Sequence, residues 1–147
     1  MAIFFAQRSF VTEVVVGAAP AAVLAALDDL PAFMRLNPLV IAVESVPGEA
    51  GAYQVTDRLR FLGVPFDLRY KVRSVRVSDG LDSEVWASPA TRLHNELRVL
   101  PEGAGARVRE TVNMTVPRLL AGYAVAAAQA AHRDLLDRLK VKAEAGS

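Results

Sequence analysis

The sequence predicts an α+β domain in which seven strands form one curved antiparallel sheet around a long C-terminal helix. Three observations indicate this fold. The hydrophobic period is mostly two from residue 41 to residue 115, turn residues divide this region into short segments, and a helical segment of about six to seven turns follows. Two short helices, predicted between the first two strands, argue against a repeating β-α-β arrangement.

The N-terminal third is predicted to contain one strand and two short helices. The strand covers Ser9 to Val16, where β-branched and aromatic residues dominate, and Gly17 ends it. The first helix runs from Pro20 to Asp28, because proline suits the first helical turn. The second runs from Leu30 to about Leu36 and stops at Asn37-Pro38.

Six further strands are predicted in succession, separated by turns short enough for antiparallel hairpins. They cover Val40 to Val46, Ala52 to Leu62, Phe66 to Val77, Leu81 to Ala87, Thr91 to Leu100 and Ala106 to Thr115. The turn signals are Pro47-Gly48, Gly63-Val64-Pro65, Asp79-Gly80, Ser88-Pro89 and Glu102 to Gly105. In the strand after residue 65 the apolar phase changes at Ser74, and Val75 and Val77 then carry it. We therefore expect a β-bulge there.

The final helix is predicted from Leu119 to about Ala143, and its two halves differ. The first half consists largely of small residues: Ala121, Gly122, Ala124, Ala126, Ala127, Ala128, Ala130 and Ala131. In the second half, Leu135, Leu136 and Leu139 form one side and charged residues the other. Small side chains leave the concavity of a curled sheet unfilled, so we expect a cavity near Tyr123, its main polar group from this helix. The alternatives are close packing of helix and sheet, or large sheet residues that fill the space.

Composition narrows the classes of function. With 147 residues, 52% of them hydrophobic, residues 1–147 are expected to form a single domain with a real core. The formal charge of +1 lacks the basic excess of a nucleic-acid binder. The chain has no cysteine and only two histidines, and no metal-ligand spacing is visible. We expect no cofactor, no metal and no nucleic-acid partner.

The cellular location is predicted from two features that the sequence lacks, a signal peptide and a membrane span. The segment MAIFFAQRSF lacks the basic region and long apolar run of a signal peptide. No segment approaches the roughly 18 uncharged apolar residues of a membrane span. We expect a cytoplasmic protein with no integral membrane segment. Monomer and homodimer both remain open.

The predicted elements follow one another as a strand, two helices, six strands and a long helix. Three segments within this order are informative: APAAVLAALDDLPAFMRLNPLV, GAGARVRETVNMTVP and AAAQAAHRDLLDRLKVKAEA. With them the chain resembles the START-like (SRPBCC) superfamily, in particular the bacterial polyketide cyclase/dehydrase and lipid-transport group. The resemblance covers nearly the whole chain. It implies a Bet v 1-like helix-grip fold, a single ligand-binding domain with a hydrophobic cavity between helix and sheet. It also implies an entrance flanked by the second short helix and by residues 62–65.

Two carboxylates are candidates for catalytic or anchoring groups. Asp57 lies in phase with Val55 and Leu59, and an apolar wall there would raise its pKa. Glu110 shares a face with Met114 on the last strand, which the resemblance places next to the final helix. The alternative for Asp57 is contact with solvent or with an arginine, and the alternative for Glu110 is a buried salt bridge with an arginine. If the two were close, they would suit acid-base work.

Asn95 and the histidines complete the polar candidates. Asn95 is in phase with Leu93 and Leu97, so its amide either contacts a ligand carbonyl or makes a structural hydrogen bond. His94 is out of phase with that face and is predicted on the solvent side. His132 is interpreted as a partly exposed packing residue near Leu135.

The other predicted ligand-binding residues are apolar, aromatic or small, and form walls and lid. They are Phe33, Met34, Tyr53, Leu59, Phe66, Leu68, Tyr70, Trp86, Met114, Tyr123 and Ala127. Aromatic residues at strand spacing are equally usual in a packed core.

Three functions compete. The favoured one is non-catalytic binding of a small hydrophobic molecule such as a lipid, quinone or polyketide-like compound. The second is a cyclase or dehydratase that uses acid-base groups in the same cavity, with Asp57, Glu110, Tyr123 and Asn95 as candidates. The third is a protein-interaction module that uses a basic stripe of arginines and lysines on two neighbouring strands, although such stripes are usually solvated faces.

Overall fold

The computed structural model describes residues 4–88 and 90–146, which contain one sheet and three α-helices. The strands are β1 (Phe5–Val16), β2 (Val40–Ser45), β3 (Ala52–Phe61), β4 (Val64–Val77), β5 (Gly80–Ala87), β6 (Thr91–Glu102) and β7 (Gly105–Pro117). The helices are α1 (Pro20–Ala26), α2 (Leu30–Met34) and α3 (Ala121–Ala145), and a 3-10 turn, Arg118–Leu120, precedes α3. The predicted fold class and element order are confirmed. Pro89, part of a predicted turn, lies outside the described residues.

All seven strands pair antiparallel, in the order β1-β7-β6-β5-β4-β3-β2. The last strand therefore lies beside the first, and α1 and α2 carry the chain from one edge of the sheet to the other. Directly paired residues share a face, so the alternation read in one strand continues into its neighbours.

β1 is longer than the strand that the sequence predicts, because it pairs with a long neighbouring strand. The strand was predicted from Ser9, but it begins at Phe5, which pairs with Pro117 of β7. The register then runs unbroken to Val16 opposite Ala106. Backbone hydrogen bonding to a long partner thus extends the strand to residues outside the predicted segment.

The β-bulge predicted at Ser74 is wrong. The register between β4 and β5 is continuous through this position, and Ser74 stays buried opposite Ser83. The two hydroxyl oxygens lie 2.8 Å apart, so each polar group has a partner on the concave face. Val75 consequently lies on the outer face, where it is exposed. The register shift that does occur lies in β2, between Val40 and Ala42.

The second half of α3 packs into the main core, as its leucines predicted. Leu135, Leu136 and Leu139 are buried in one cluster with Val23 of α1 and with Leu27, which directly follows that helix. The first half of α3 contacts a smaller cluster around Phe10 and Val112 through alanines. None of the helices in the described part of the chain combines the length and apolarity that crossing a bilayer requires.

Candidate functional site

A cavity of about 530 Å³ lies between the concave face of the sheet and the first half of α3. Ala124, Ala127, Ala128 and Ala131 form its wall on the helix side. Since these side chains are single methyl groups, they leave the space that leucines fill further along α3. The volume is within the usual range of about 300–1,000 Å³ for small-molecule sites.

Most of the predicted ligand-binding residues line this cavity. They are Phe33, Met34, Asp57, Leu59, Phe66, Leu68, Tyr70, Asn95, Glu110, Met114, Tyr123 and Ala127. The structure therefore gathers residues from α2, α3 and several strands around one space. The remaining two predicted residues, Tyr53 and Trp86, lie elsewhere.

Trp86 was expected to line the cavity, and this is wrong. In β5 the lining residues are Leu81, Ser83, Val85 and Ala87, so that Trp86 points to the outer face. There the guanidinium of Arg92 lies 5.8 Å from its ring centroid. The alternation of residues in β5 therefore predicts that Trp86 lies on the outer face.

Tyr53 was likewise expected in the cavity wall. It packs against the buried cluster that contains Met34, Val55 and Val72, and it does not line the cavity. Val72, which lies opposite Tyr53 in the register, does line the cavity, so Tyr53 shares the concave face but packs beside the open space.

Asp57 and Tyr70 form a buried hydrogen bond in the cavity wall. They lie on adjacent strands, and the Tyr70 hydroxyl donates to Asp57 Oδ1 at 2.8 Å. Burial raises the pKa of Asp57 to about 6, although the Tyr70 hydrogen bond and the charge of His132 act in the opposite direction. Burial and the neighbouring Asp57 raise the pKa of Tyr70, which remains a neutral hydroxyl donor. The elevated pKa expected for Asp57 is therefore present.

Glu110 pairs with His132, a residue to which the sequence analysis assigned no role in the cavity. His132 Nδ1 lies 2.5 Å from Glu110 Oε1, and the side chains are only 13% and 5% exposed. The ring of Phe10 packs edge-on against the imidazole, with centroids 6.0 Å apart. The packing histidine that was expected does pack, on Phe10, but it also lines the cavity and pairs with Glu110. The arginine partner considered for Glu110 is a histidine instead. A usable signal existed, because residue 132 falls one helical turn after Ala128 on the alanine face.

The charges of both carboxylates, Glu110 and Asp57, act on His132. Burial opposes the charged imidazole, but the charge and hydrogen bond of Glu110, together with the charge of Asp57, outweigh it and raise the pKa of His132. The cavity thus holds an imidazole that stays protonated to higher pH than usual. It also holds a carboxyl group, Asp57, that titrates near neutrality. Such groups exchange protons with a bound molecule at physiological pH.

Asn95 contributes a polar atom without a partner. Its Oδ1 is buried and has no hydrogen-bond partner among the described residues. Ser83 lies directly opposite Asn95 in the sheet, but its hydroxyl is engaged with Ser74. An unsatisfied buried amide oxygen costs about 1–3 kcal/mol, which a donor on a ligand would recover.

Tyr123 lies at the rim of the cavity. Its hydroxyl donates to the backbone oxygen of Arg60 at 3.0 Å, and its ring packs edge-on against Phe61 at 5.4 Å. Phe61, Phe66 and Leu120 both line the cavity and are exposed, which places the opening here. His132, not Tyr123, is therefore the main polar group that α3 places in the cavity.

The outer basic residues are largely paired. Arg58 binds Asp67, and Lys71 and Arg73 both bind Glu49. His94 lies between Glu84 and Glu96 on this outer face, where it was predicted. These ion pairs reduce the positive charge that an interaction stripe would need. Over the described residues, no group of three or more His, Cys, Asp or Glu side chains is placed to hold a metal ion.

Comparison with known proteins gave one family and many similar structures. The family described as "Polyketide cyclase / dehydrase and lipid transport" matches residues 7–144. No match was found among curated proteins.

Three solved structures illustrate the likeness. TTHA0849 from Thermus thermophilus is 21% identical over 95% of this chain and 99% of its own, with a TM-score of 0.68. The Zhui aromatase/cyclase from Streptomyces sp. R1128 is 15% identical over 95% and 94%, with a TM-score of 0.71. DR_A0006 from Deinococcus radiodurans is 16% identical over 95% and 100%, with a TM-score of 0.62. At these identities the likeness shows a shared fold, the helix-grip fold.

Proposed function

Because this chain belongs to the polyketide cyclase/dehydrase and lipid transport family, we propose that it binds one small hydrophobic molecule in the cavity beside α3. A lipid, a quinone or a polyketide-like compound would fit this description. The observation that carries the proposal is the cavity of about 530 Å³, whose walls are mainly apolar. Burial of an apolar ligand there gains about 25 cal/mol for each Å² removed from water.

The polar atoms of the cavity refine the ligand class. A pure hydrocarbon would leave Asn95 Oδ1 unpartnered and would further desolvate Asp57 and His132. A molecule with an apolar skeleton and at least one hydroxyl group would instead donate to Asn95. A carbonyl or phenol oxygen would accept a hydrogen bond from His132. The ligand is therefore an oxygen-bearing hydrophobic molecule.

Native mass spectrometry of the purified protein tests whether a molecule of this class co-purifies. Displacement of a fluorescent fatty acid provides an affinity. Ala127→Phe places a ring in the cavity and should weaken binding of this fatty acid by at least about tenfold, which corresponds to about 1.4 kcal/mol.

Ala130→Phe is the matched control, because Ala130 lies on the exposed side of the same helix. It should bind the fatty acid as the unchanged protein does. Equal affinity in all three proteins, with no co-purified molecule, contradicts the proposal.

A second candidate function is acid-base catalysis of cyclisation or dehydration in the same cavity. The observation that favours it is the linked set Tyr70–Asp57 and His132–Glu110. With a pKa of about 6, Asp57 would accept a proton from a carbon next to a carbonyl at neutral pH. The protonated His132 would donate one to the departing hydroxyl group, which leaves as water.

The test uses a synthetic poly-β-ketone thioester and follows product formation by mass spectrometry. Asp57→Asn keeps the hydrogen bond from Tyr70 but removes the base, so turnover should fall by about 10²-fold or more. Binding of the fluorescent fatty acid should change far less. Catalysis is excluded if Asp57→Asn and His132→Gln both turn the substrate over at the unchanged rate.

A further inference from the structure

Exposed apolar side chains gather at the opening of the cavity. They are Phe61, Leu62, Val64, Phe66, Leu119 and Leu120, which we call the mouth patch. Leu62 is 89% exposed and Leu119 is 98% exposed, so neither contributes appreciably to the core. Scattered apolar residues are normal on a surface, but such a concentration marks an interaction site.

The mouth patch is one continuous surface although its members come from two distant segments. Tyr123 joins them, because its hydroxyl binds the backbone of Arg60 in β3 and its ring packs on Phe61. Leu120 and Phe61 line the same cavity. The tip of the β3–β4 hairpin and the 3-10 turn therefore project side by side around the opening.

The backbone at the hairpin tip holds Leu62 outward at a cost. Leu62 has a φ of 52° and Gly63 a φ of 80°. The left-handed region suits glycine but costs a residue such as leucine roughly 1 kcal/mol or more. The isolated protein thus has both a strained backbone and an exposed leucine at this position. Contact with an apolar phase would remove the leucine side chain from water and so offset the cost of its exposure.

Arginine side chains flank the apolar tips. Arg60 Nη1 donates to the backbone oxygen of Gly63 at 3.3 Å, which places its guanidinium beside the turn. Arg118 directly precedes Leu119 and is exposed. In the described part of the chain, neither arginine forms an ion pair with a carboxylate. The single acidic residue from 58 to 69, Asp67, is engaged with Arg58. The mouth patch is therefore apolar at its tips and positive at its margin.

We infer that the mouth patch docks on the surface of an anionic lipid bilayer. Leu62 and Leu119 insert between acyl chains, and Arg60 and Arg118 contact headgroup phosphates. A bilayer fits this surface because it offers anionic headgroups to the arginines and an apolar acyl region to the exposed leucines. The cavity then opens toward the acyl region, so an apolar molecule passes between bilayer and protein without crossing water. This inference goes beyond the proposed function and holds for any apolar cargo.

Co-sedimentation with vesicles tests the inference. One set is phosphatidylcholine alone, and the other contains phosphatidylserine as about one lipid in three. The protein should bind the anionic vesicles preferentially and should dissociate as salt is raised. The double variant L62E/L119E should lower the bound fraction at least about tenfold, because it replaces both inserting side chains by charges. Absence of binding to either vesicle overturns the inference.

The matched control is V15E/V141E, which adds the same charge at two exposed valines far from the opening. Val15 is paired with Arg107 and lies near the end of β1 that is farther from the 3-10 turn. Val141 is 67% exposed and lies about 30 Å along α3 from the start of that helix. This variant should sediment nearly as the unchanged protein does. Equal losses in both double variants would reduce the effect to net charge and contradict the inference.

Two further readouts separate the alternatives. L62E/L119E should keep its circular dichroism spectrum and its affinity for the fluorescent fatty acid, so that loss of vesicle binding is not loss of the fold or of the cavity. If it dissociates a dimer while vesicle binding is unchanged, the mouth patch is a self-association face, and the inference is wrong.

Discussion

His132 of α3 and Glu110 of β7 form a buried ion pair inside the cavity, with 2.5 Å between Nδ1 and Oε1. The chain contains a second pair at the same distance, His94 Nδ1 and Glu84 Oε1, on the outer face of the sheet. The two pairs differ in burial, since the His94 and Glu84 side chains are 41% and 39% exposed. One protein thus offers an internal comparison of the same interaction in two environments.

Replacement of the carboxylate should have different effects at the two pairs. In Glu110→Gln, His132 stays buried but loses its main charge partner, so the pKa of His132 should fall. The free energy of unfolding should drop by roughly 3 kcal/mol, the scale for breaking a buried pair. Glu84→Gln should cost less than about 1 kcal/mol. Urea unfolding and NMR titration of both imidazoles measure these changes. Equal costs at the two sites would contradict the role given to burial.

The stability of the protein should decrease as pH rises from about 4 to about 6. The pKa of Asp57 is about 6 in the folded protein, above its ordinary value, so the folded state holds this proton more tightly than the unfolded chain. The resulting stabilisation is complete below the unfolded pKa and is lost as pH rises through the folded one. Its size is on the order of 2–3 kcal/mol.

Thermal unfolding of the Asp57→Asn variant checks the origin of this dependence. The asparagine accepts the Tyr70 hydrogen bond but does not titrate, so its unfolding temperature should vary less between pH 4 and pH 6. His132 contributes a separate loss at higher pH, because its raised pKa stabilises the fold only while it is protonated. An unchanged pH profile in Asp57→Asn would show that another group is responsible.

Asn95→Leu should stabilise the empty protein and weaken binding of hydroxylated ligands. The substitution removes a buried amide oxygen that has no hydrogen-bond partner in the described part of the chain, and such an unsatisfied atom costs about 1–3 kcal/mol. Chemical denaturation gives the stability change, and a fatty alcohol compared with its methyl ether gives the ligand preference. The Asn95 assignment fails if the variant still prefers the alcohol to the same extent. Asn113→Leu, at an exposed position of β7, serves as the control.

Trp86 should not report on the cavity. It is the chain's single tryptophan and lies on the outer face under Arg92. Its fluorescence should therefore stay unchanged when a ligand fills the cavity, and Trp86→Phe should leave affinity within about twofold. Phe66→Ala, at the opening, should weaken the same ligand by at least about fivefold. A large shift in tryptophan emission on binding would mean that the ligand contacts the outer face.

Local patterns in the sequence predict the elements and the direction of many side chains. Alternation in β3, β6 and β7 places Asp57, Asn95 and Glu110 on the concave face, because successive residues of a strand point to opposite sides. The alanines of α3 likewise predict where space remains. Both inferences depend on backbone geometry within one element, which neighbouring residues determine.

Predictions were wrong where a single position was judged by residue type and not by its place in the alternation. Trp86 was assigned to the wall as an aromatic residue, although its phase in β5 is outward. Ser74 was interpreted as a break in the pattern, whereas a hydroxyl partner, Ser83, lets a serine stay inward. That partner belongs to the next strand, and its identity depends on register.

By itself, the amino-acid sequence determined the order of strands and helices, the inward carboxylates and the open space beside α3. Only the tertiary structure decided the partners. Glu110 and His132 are 22 residues apart and meet because α3 packs against β1 and β7, and Asp57 and Tyr70 meet through the register of β3 and β4. Contacts of this kind depend on how elements pack, and packing is decided by burial summed over the whole chain rather than by any local pattern.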